Sequence, residues 1–168
     1  MIKFALKISG IFALMLLSTV AINAQKASPA AEATGQIGKA AITINYSQPG
    51  VKGREIYGDL VPYGEVWRVG ANEATVFEVS TDVKVGGEKL KAGKYGLWVI
   101  PGKKEWTWIF SSTWDTWGTN YDPANDVLRV KGSVDGLDDL IERMTFTIGN
   151  GHVELHWSTT LATLNVKG

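Results

Sequence analysis

The sequence predicts an all-β, single-domain antiparallel β-sandwich, jelly-roll-like or immunoglobulin-like, with one short helical segment. Three observations predict it. Short runs of β-branched and aromatic residues recur along the chain. Turn signals such as Gly86-Gly87, Pro101-Gly102 and Asn150-Gly151 separate them. Several runs alternate apolar with polar residues: Met144, Phe146 and Ile148 oppose Thr145 and Thr147, and Val153, Leu155 and Trp157 oppose His152, Glu154, His156 and Ser158. Successive strand side chains point to opposite faces, so this alternation marks strands buried on one side. Many such strands suit two packed sheets or an open barrel, and the sandwich is the preferred solution.

The chain begins with Lys3 and Lys7, an apolar run from Ile8 to Ile22, and a small-residue boundary at Asn23-Ala24-Gln25. That is the pattern of a secretory signal peptide over residues 1–24. Ser9, Gly10, Ser18 and Thr19 interrupt the run and leave it short of the ~20 apolar residues a membrane span prefers. Residues 25–37 are small, polar and Pro-containing, which predicts a flexible leader, and the β-sandwich domain is expected over 38–168. Nine strands are expected: Ala40 to Tyr46, Thr75 to Ser80, Val83 to Val85, Tyr95 to Ile100, Trp106 to Ser111, Val127 to Lys131, Met144 to Ile148, Val153 to Trp157 and Leu161 to Val166. Gly86-Gly87 turns Val83–Val85 back into Glu88–Leu90, since glycine reaches φ > 0 without a Cβ clash. Leu137 to Arg143, acidic at its start where a helix dipole favours negative charge, is the expected helical turn.

There is no cysteine, so no disulfide and no lipid-modified cysteine is available, and packing must supply stability. The chain has 17 basic and 17 acidic residues, and loss of Lys3 and Lys7 with the signal leaves 15 against 17. That balance offers no general attraction to phosphate backbones, and nucleic acid is not an expected partner. Without the signal no membrane span is expected, no cofactor is expected, and the oligomeric state is open.

The segment Gly53–Thr75 is the first candidate for function: two arginines, two tyrosines, Trp, Asn and three glutamates stand among four glycines, a mixture that core packing does not call for. One reading is an irregular connection whose Arg54, Arg68 and Asn72 satisfy backbone carbonyls while Tyr63 and Trp67 plug one end of the sandwich. The other is a ligand pocket: Tyr63 and Trp67 as a wall, Arg54 and Arg68 as charge-assisted donors, and Asn72, Glu73 and Thr75 completing a polar lining. Trp106, Trp108 and Phe110 share a strand face and either fill the core or form a stacking platform. Trp114 and Trp117 lie in a polar loop-like stretch, where recognition and loop anchoring compete. His152, Glu154 and His156 share one strand face and could bind a transition metal, but neighbours on such a face stand about 7 Å apart, so the expected metal set is none, with these three as the alternative. No nucleophile elbow, P-loop or dinucleotide fingerprint occurs, so the catalytic residues are unknown.

The runs KGREIYGDLVPYGEVWRVGANEAT, VGGEKLKAGKYGLWVIPG, EWTWIF, DVLRV and IERMTF closely resemble a family of exported bacterial proteins catalogued as a domain of unknown function. The resemblance covers the chain from about Ser28 to near the C-terminus. It implies an exported, mostly β single domain from bacteria with two membranes, hence the periplasm or the exterior, and brings no established activity. It adds Arg129 to the site candidates, because that residue sits in a family motif; on a strand its charge needs solvent or a partner such as Glu73 or Glu142. The histidine set and Trp108 fall outside the signature. The expected function is a non-catalytic binding module for a polar ligand, a glycan or an anionic small molecule. The alternatives are an envelope polysaccharide hydrolase using carboxylates such as Glu73, and a structural subunit of an envelope assembly.

Overall fold

The computed structural model describes residues 27–168; the expected signal peptide and the first two residues of the expected leader lie outside them. The chain is nearly all β. Nine strands follow in order: β1 (Ala30–Ile37), β2 (Ala40–Ser47), β3 (Thr75–Val79), β4 (Val83–Val85), β5 (Glu88–Leu90), β6 (Gly93–Ile100), β7 (Glu105–Ser111), β8 (Asp126–Gly149) and β9 (His152–Lys167). They form a single open antiparallel sheet in the order β1-β2-β3-β6-β7-β8-β9-β4-β5. Where two sheets were expected, one continuous sheet therefore supplies both walls of the core.

The long β8–β9 hairpin makes this possible. Its register slips between Gly136 and Ile141 and again between Ile141 and Thr145, and such bulges bend a strand and sharpen its twist. The first part of β8 pairs with β7 from Asp126 to Ser133. Beyond the bulges its distal part turns over the core to meet β2, where the Tyr46 and Phe146 rings meet edge to face at 5.0 Å and the Phe146 N–H donates to the Tyr46 hydroxyl at 3.1 Å. The Met144 N–H donates to the Pro49 carbonyl at 3.1 Å, and the Val51 N–H to the Glu142 carbonyl at 2.9 Å. Gly35 of β1 lies so close to β8 that a Cβ there would stand 2.6 Å from both the Ile148 Cγ2 and its carbonyl oxygen.

Two expectations are corrected. Ala30–Ile37, placed in the flexible leader because it is small and polar, is strand β1 in full register with β2 from Ala30↔Ser47 to Ile37↔Ala40; backbone pairing and the close seat against Ile148 order it where its own side chains could not. Leu137–Arg143 is part of β8 rather than a helix, and the one helical turn among the described residues is a 3₁₀ segment at Pro123–Asn125. That turn is capped by Asp122, whose carboxylate accepts from the Ala124 N–H at 2.9 Å, with proline at the first position. The Leu137 region carries too few apolar residues to bury a helix face, and pairing across the bulge wins. Asn150-Gly151 turns β8 into β9 as expected, both residues at positive φ.

The core joins β2, β3, β6, β7, β8 and β9 with Val51, Ile56, Val61 and Val69 from the long 48–74 connection. At one end sit Tyr57, Trp67, Trp106 and Trp157, with Trp67 stacked on Trp157 at 5.7 Å and 15°, and Tyr57 wedged against Trp106 at 5.2 Å. Trp106, Trp108 and Phe110 are fully buried, which gives the core reading of that strand face.

Candidate functional site

The 48–74 connection carries no regular strand, yet it is held at several points. Trp67 exchanges backbone hydrogen bonds with Val99 of β6 at 2.8 and 2.9 Å. Val69 sits at φ +44°, a strained angle for a β-branched residue, and Asn72 at φ +61°. The Thr75 hydroxyl, fully buried, donates to the Val69 carbonyl at 3.0 Å and locks that turn. A second loop, Ser112–Tyr121, is pinned to the first: the Gly118 N–H donates to the Asn72 carbonyl at 3.0 Å, the Ala74 N–H to the Thr116 carbonyl at 3.0 Å, and the Trp98 indole N–H to the Gly118 carbonyl at 3.0 Å.

Between the two loops lies a cleft of 340 Å³ lined by Val66, Trp67, Arg68, Trp98, Gly118, Thr119 and Tyr121. Gly118 is where the loops touch: a Cβ there would fall 2.4 Å from the Arg68 Cδ and 2.8 Å from the Asn72 carbonyl oxygen. Arg68 brings a guanidinium to the cleft, and its Nε is buried with no hydrogen-bond partner among the described residues. Leaving a buried donor unsatisfied costs about 1–3 kcal/mol. On the far wall, the Tyr121 ring leans on Trp98 at 5.5 Å, and its hydroxyl donates to the Asp126 carboxylate at 2.8 Å while accepting from Arg129 at 2.7 Å. Arg129 closes the triangle with its Nε–H on the same Asp126 oxygen at 2.7 Å. Its partner is thus Asp126, three residues away, rather than Glu73 or Glu142. Burial, then the bond to Asp126, raises the Tyr121 phenol above its usual range, and the hydrogen bond to Asp126 raises Arg129, so both stay in their ordinary neutral and cationic forms.

The remaining candidates separate. Trp67 and Arg68 meet in the cleft as expected, whereas Asn72 borders it only through the carbonyl that Gly118 binds, its amide reaching towards the Ser28 carbonyl at 3.4 Å. Arg54 spends its donors on the Gly50 and Val51 carbonyls at 2.7 and 3.1 Å and so braces its own turn. Thr75 is a buried brace. Tyr63 lines a separate polar hollow of 160 Å³ with Tyr57, Lys103, Trp106 and Asp135, and Lys103 stands over its ring at 5.8 Å. Glu73 lines another hollow, of 220 Å³, which no second carboxylate joins. Trp117 is half exposed and pairs with Glu73 through backbone; Trp114 is partly exposed beneath Lys94 at 5.4 Å; neither lines the cleft.

His152, Glu154 and His156 do not converge: among the described residues no three such side chains stand close enough to share a metal ion. His156 Nε2 meets both the Glu154 carboxylate at 3.2 Å and the Thr147 hydroxyl at 3.3 Å. A nucleophile relay needs the two imidazole nitrogens to face opposite partners, and here one nitrogen faces both.

The sequence reading missed Trp98, Gly118, Thr119 and Tyr121. The signal lies in the polar loop that includes Trp114 and Trp117: its tryptophans stay outside the cleft, and its glycine lets the two loops touch.

Residues 28–166 match the family described as protein of unknown function, DUF2911. The chain belongs to this family. No curated protein and no solved structure is significantly similar to it. The family match spans every strand described above except the ends of the chain, so both loops of the cleft lie within it. No helix among the described residues is long and apolar enough to cross a membrane.

Proposed function

We propose that this chain is a non-catalytic binding module, exported to the periplasm or secreted, whose ligand enters the Arg68 cleft. The fitting class is a polar ring that carries one carboxylate, such as a uronic acid residue of a glycan. One observation carries the reading: a guanidinium whose Nε–H is buried and without a hydrogen-bond partner among the described residues stands on the wall of an open cleft lined by aromatic rings. Arginine offers two parallel N–H donors to a carboxylate, and the half-buried Trp67 and Tyr121 rings offer apolar area to a sugar ring, with buried Trp98 behind Tyr121. The volume, 340 Å³, matches a small-ligand site. No carboxylate lines the cleft, so the paired acids of glycoside hydrolysis are missing from its walls, which is why binding is preferred over hydrolysis.

The test is calorimetric titration with glucuronate or galacturonate, with glucose as the uncharged control. Uronate should bind and glucose should bind at least about tenfold more weakly. Arg68→Gln should abolish the preference while shifting the melting temperature by no more than a few degrees, because the lost Nε–H has no hydrogen-bond partner among the described residues. Equal affinity for charged and uncharged sugars, or an Arg68→Gln variant that binds as wild type does, refutes the assignment.

A further inference from the structure

A larger cleft, 640 Å³, lies elsewhere, at the end of the sheet formed by β9, β4 and β5. Asp82, Val83, Lys84, Lys89, Leu90, Lys91, Lys167 and Gly168 line it, so four of the ten lysines in residues 27–168 face one opening. Register places three of them in a row: Lys89 of β5 is directly opposite Lys84 of β4, and Lys84 is directly opposite Lys167 of β9. Directly opposed residues share a sheet face with their Cβ atoms about 4.5–5.5 Å apart, and like charges in that position repel. Among the described residues none of the four lysines has an ion-pair partner. Asp82 already accepts the Ala92 N–H at 2.9 Å.

A lysine on an outer strand is a common guard against edge-to-edge pairing, and Lys89 alone would serve that purpose. Lys84, at the centre of the row, is paired on both sides, with Lys89 and with Lys167, so no edge needs guarding there. Nor does the row reflect a generally basic protein, for residues 27–168 contain 14 basic and 17 acidic side chains. We propose that this cleft binds a compact polyanion with successive phosphoryl groups. Ammonium groups are hydrated point charges that suit phosphate oxygens, and a row of three can engage neighbouring groups of one linear anion. The concave shape favours a soluble molecule over a flat lipid surface. The site is independent of the Arg68 cleft and contains no aromatic side chain.

The test uses the exported chain with inorganic tripolyphosphate as probe, read by calorimetry and by thermal melting in low salt. Wild type should bind, be stabilised by the probe, and lose affinity as salt rises. Lys84→Gln, at the centre of the row and on the solvent face, should weaken binding about tenfold while melting at or above the wild-type temperature without probe, since it relieves repulsion. Lys131→Gln, which removes a surface lysine paired with Glu105 at 3.1 Å, should leave affinity unchanged. Absence of binding by wild type overturns the proposal, as does an equal loss in both variants. So does binding confined to phosphatidylglycerol vesicles and absent with tripolyphosphate, which would make the row a membrane contact. Arg68→Gln should retain full tripolyphosphate affinity, so this site and the uronate site can fail separately.

Discussion

Replacing Gly118 by alanine tests whether the two loops meet as closely as described. The added Cβ would stand 2.4 Å from the Arg68 Cδ, 3.1 Å from its Cβ and 2.8 Å from the Asn72 carbonyl oxygen. Ordinary carbon contacts are about 3.5–4.0 Å, so the Arg68 overlap is more than about 1 Å. The arginine is a flexible side chain and can swing away; the Asn72 carbonyl is backbone and is held by the Gly118 N–H at 3.0 Å, so part of the clash must be absorbed by moving one loop. Overpacking of this kind costs about 1–3 kcal/mol. Gly118 has no positive φ, so backbone conformation adds nothing to the cost. In urea, with a slope of about 1–3 kcal/mol/M, the midpoint should fall by roughly 1 M at unchanged slope. A double-mutant cycle with Arg68→Ala sharpens the test: with the Cδ gone, the cost of Gly118→Ala should drop by about 0.5 kcal/mol or more. A change below about 0.3 kcal/mol for Gly118→Ala, or strict additivity with Arg68→Ala, would show that the loops do not touch and that the cleft is not shaped by this contact.

Tyr57→Phe removes a hydroxyl that is buried among Trp67, Trp106 and Trp157 without a protein partner among the described residues, and should leave stability unchanged or raise it by up to about 1–3 kcal/mol; a loss above 1 kcal/mol in urea unfolding would show that the hydroxyl is satisfied. Burial pushes the Tyr57 phenol far above the usual tyrosine range, so above pH ~10 the unfolded chain sheds that proton while the native state keeps it. The native state then binds more protons, stability falls as pH rises through that range, and Tyr57→Phe should flatten the alkaline limb of a stability–pH curve. Thr75→Val deprives the Val69 carbonyl of its donor at a strained turn and should cost about 1–3 kcal/mol by chemical unfolding. Gly35→Ala drives a Cβ into Ile148 and should destabilise by about 1–3 kcal/mol, without touching uronate affinity in the same calorimetric assay.

Much of the β content was legible because alternation and turn chemistry are local. Met144–Ile148 and Val153–Trp157, with Asn150-Gly151 between them, contain both their buried face and their turn within fourteen residues. What could not be read is decided by distant partners. Ala30–Ile37 has little apolar content of its own and becomes a strand because β2 and Ile148 are there to receive it. Leu137–Arg143 looks like a short helix in isolation, but a bulged hairpin carries it across the core. At the site, the concentration of arginine and aromatic residues in Gly53–Thr75 pointed to the right segment, and Trp67 and Arg68 do line the cleft. Arg54 and Thr75 turned out to brace backbone carbonyls, a role that composition cannot distinguish from ligand binding because both use the same donors. The opposite wall belongs to a loop some fifty residues later, and backbone contacts such as Gly118 to Asn72 and Ala74 to Thr116, invisible in the sequence, join the two.

The seat of Gly35 on Ile148 links positions more than a hundred residues apart. Closing so wide a span costs more chain entropy than closing sequence-adjacent pairs such as β1–β2 or β6–β7. The β1–β2 ribbon can therefore form early from neighbouring sequence, while Gly35 finds its seat only once the β8–β9 hairpin is in place.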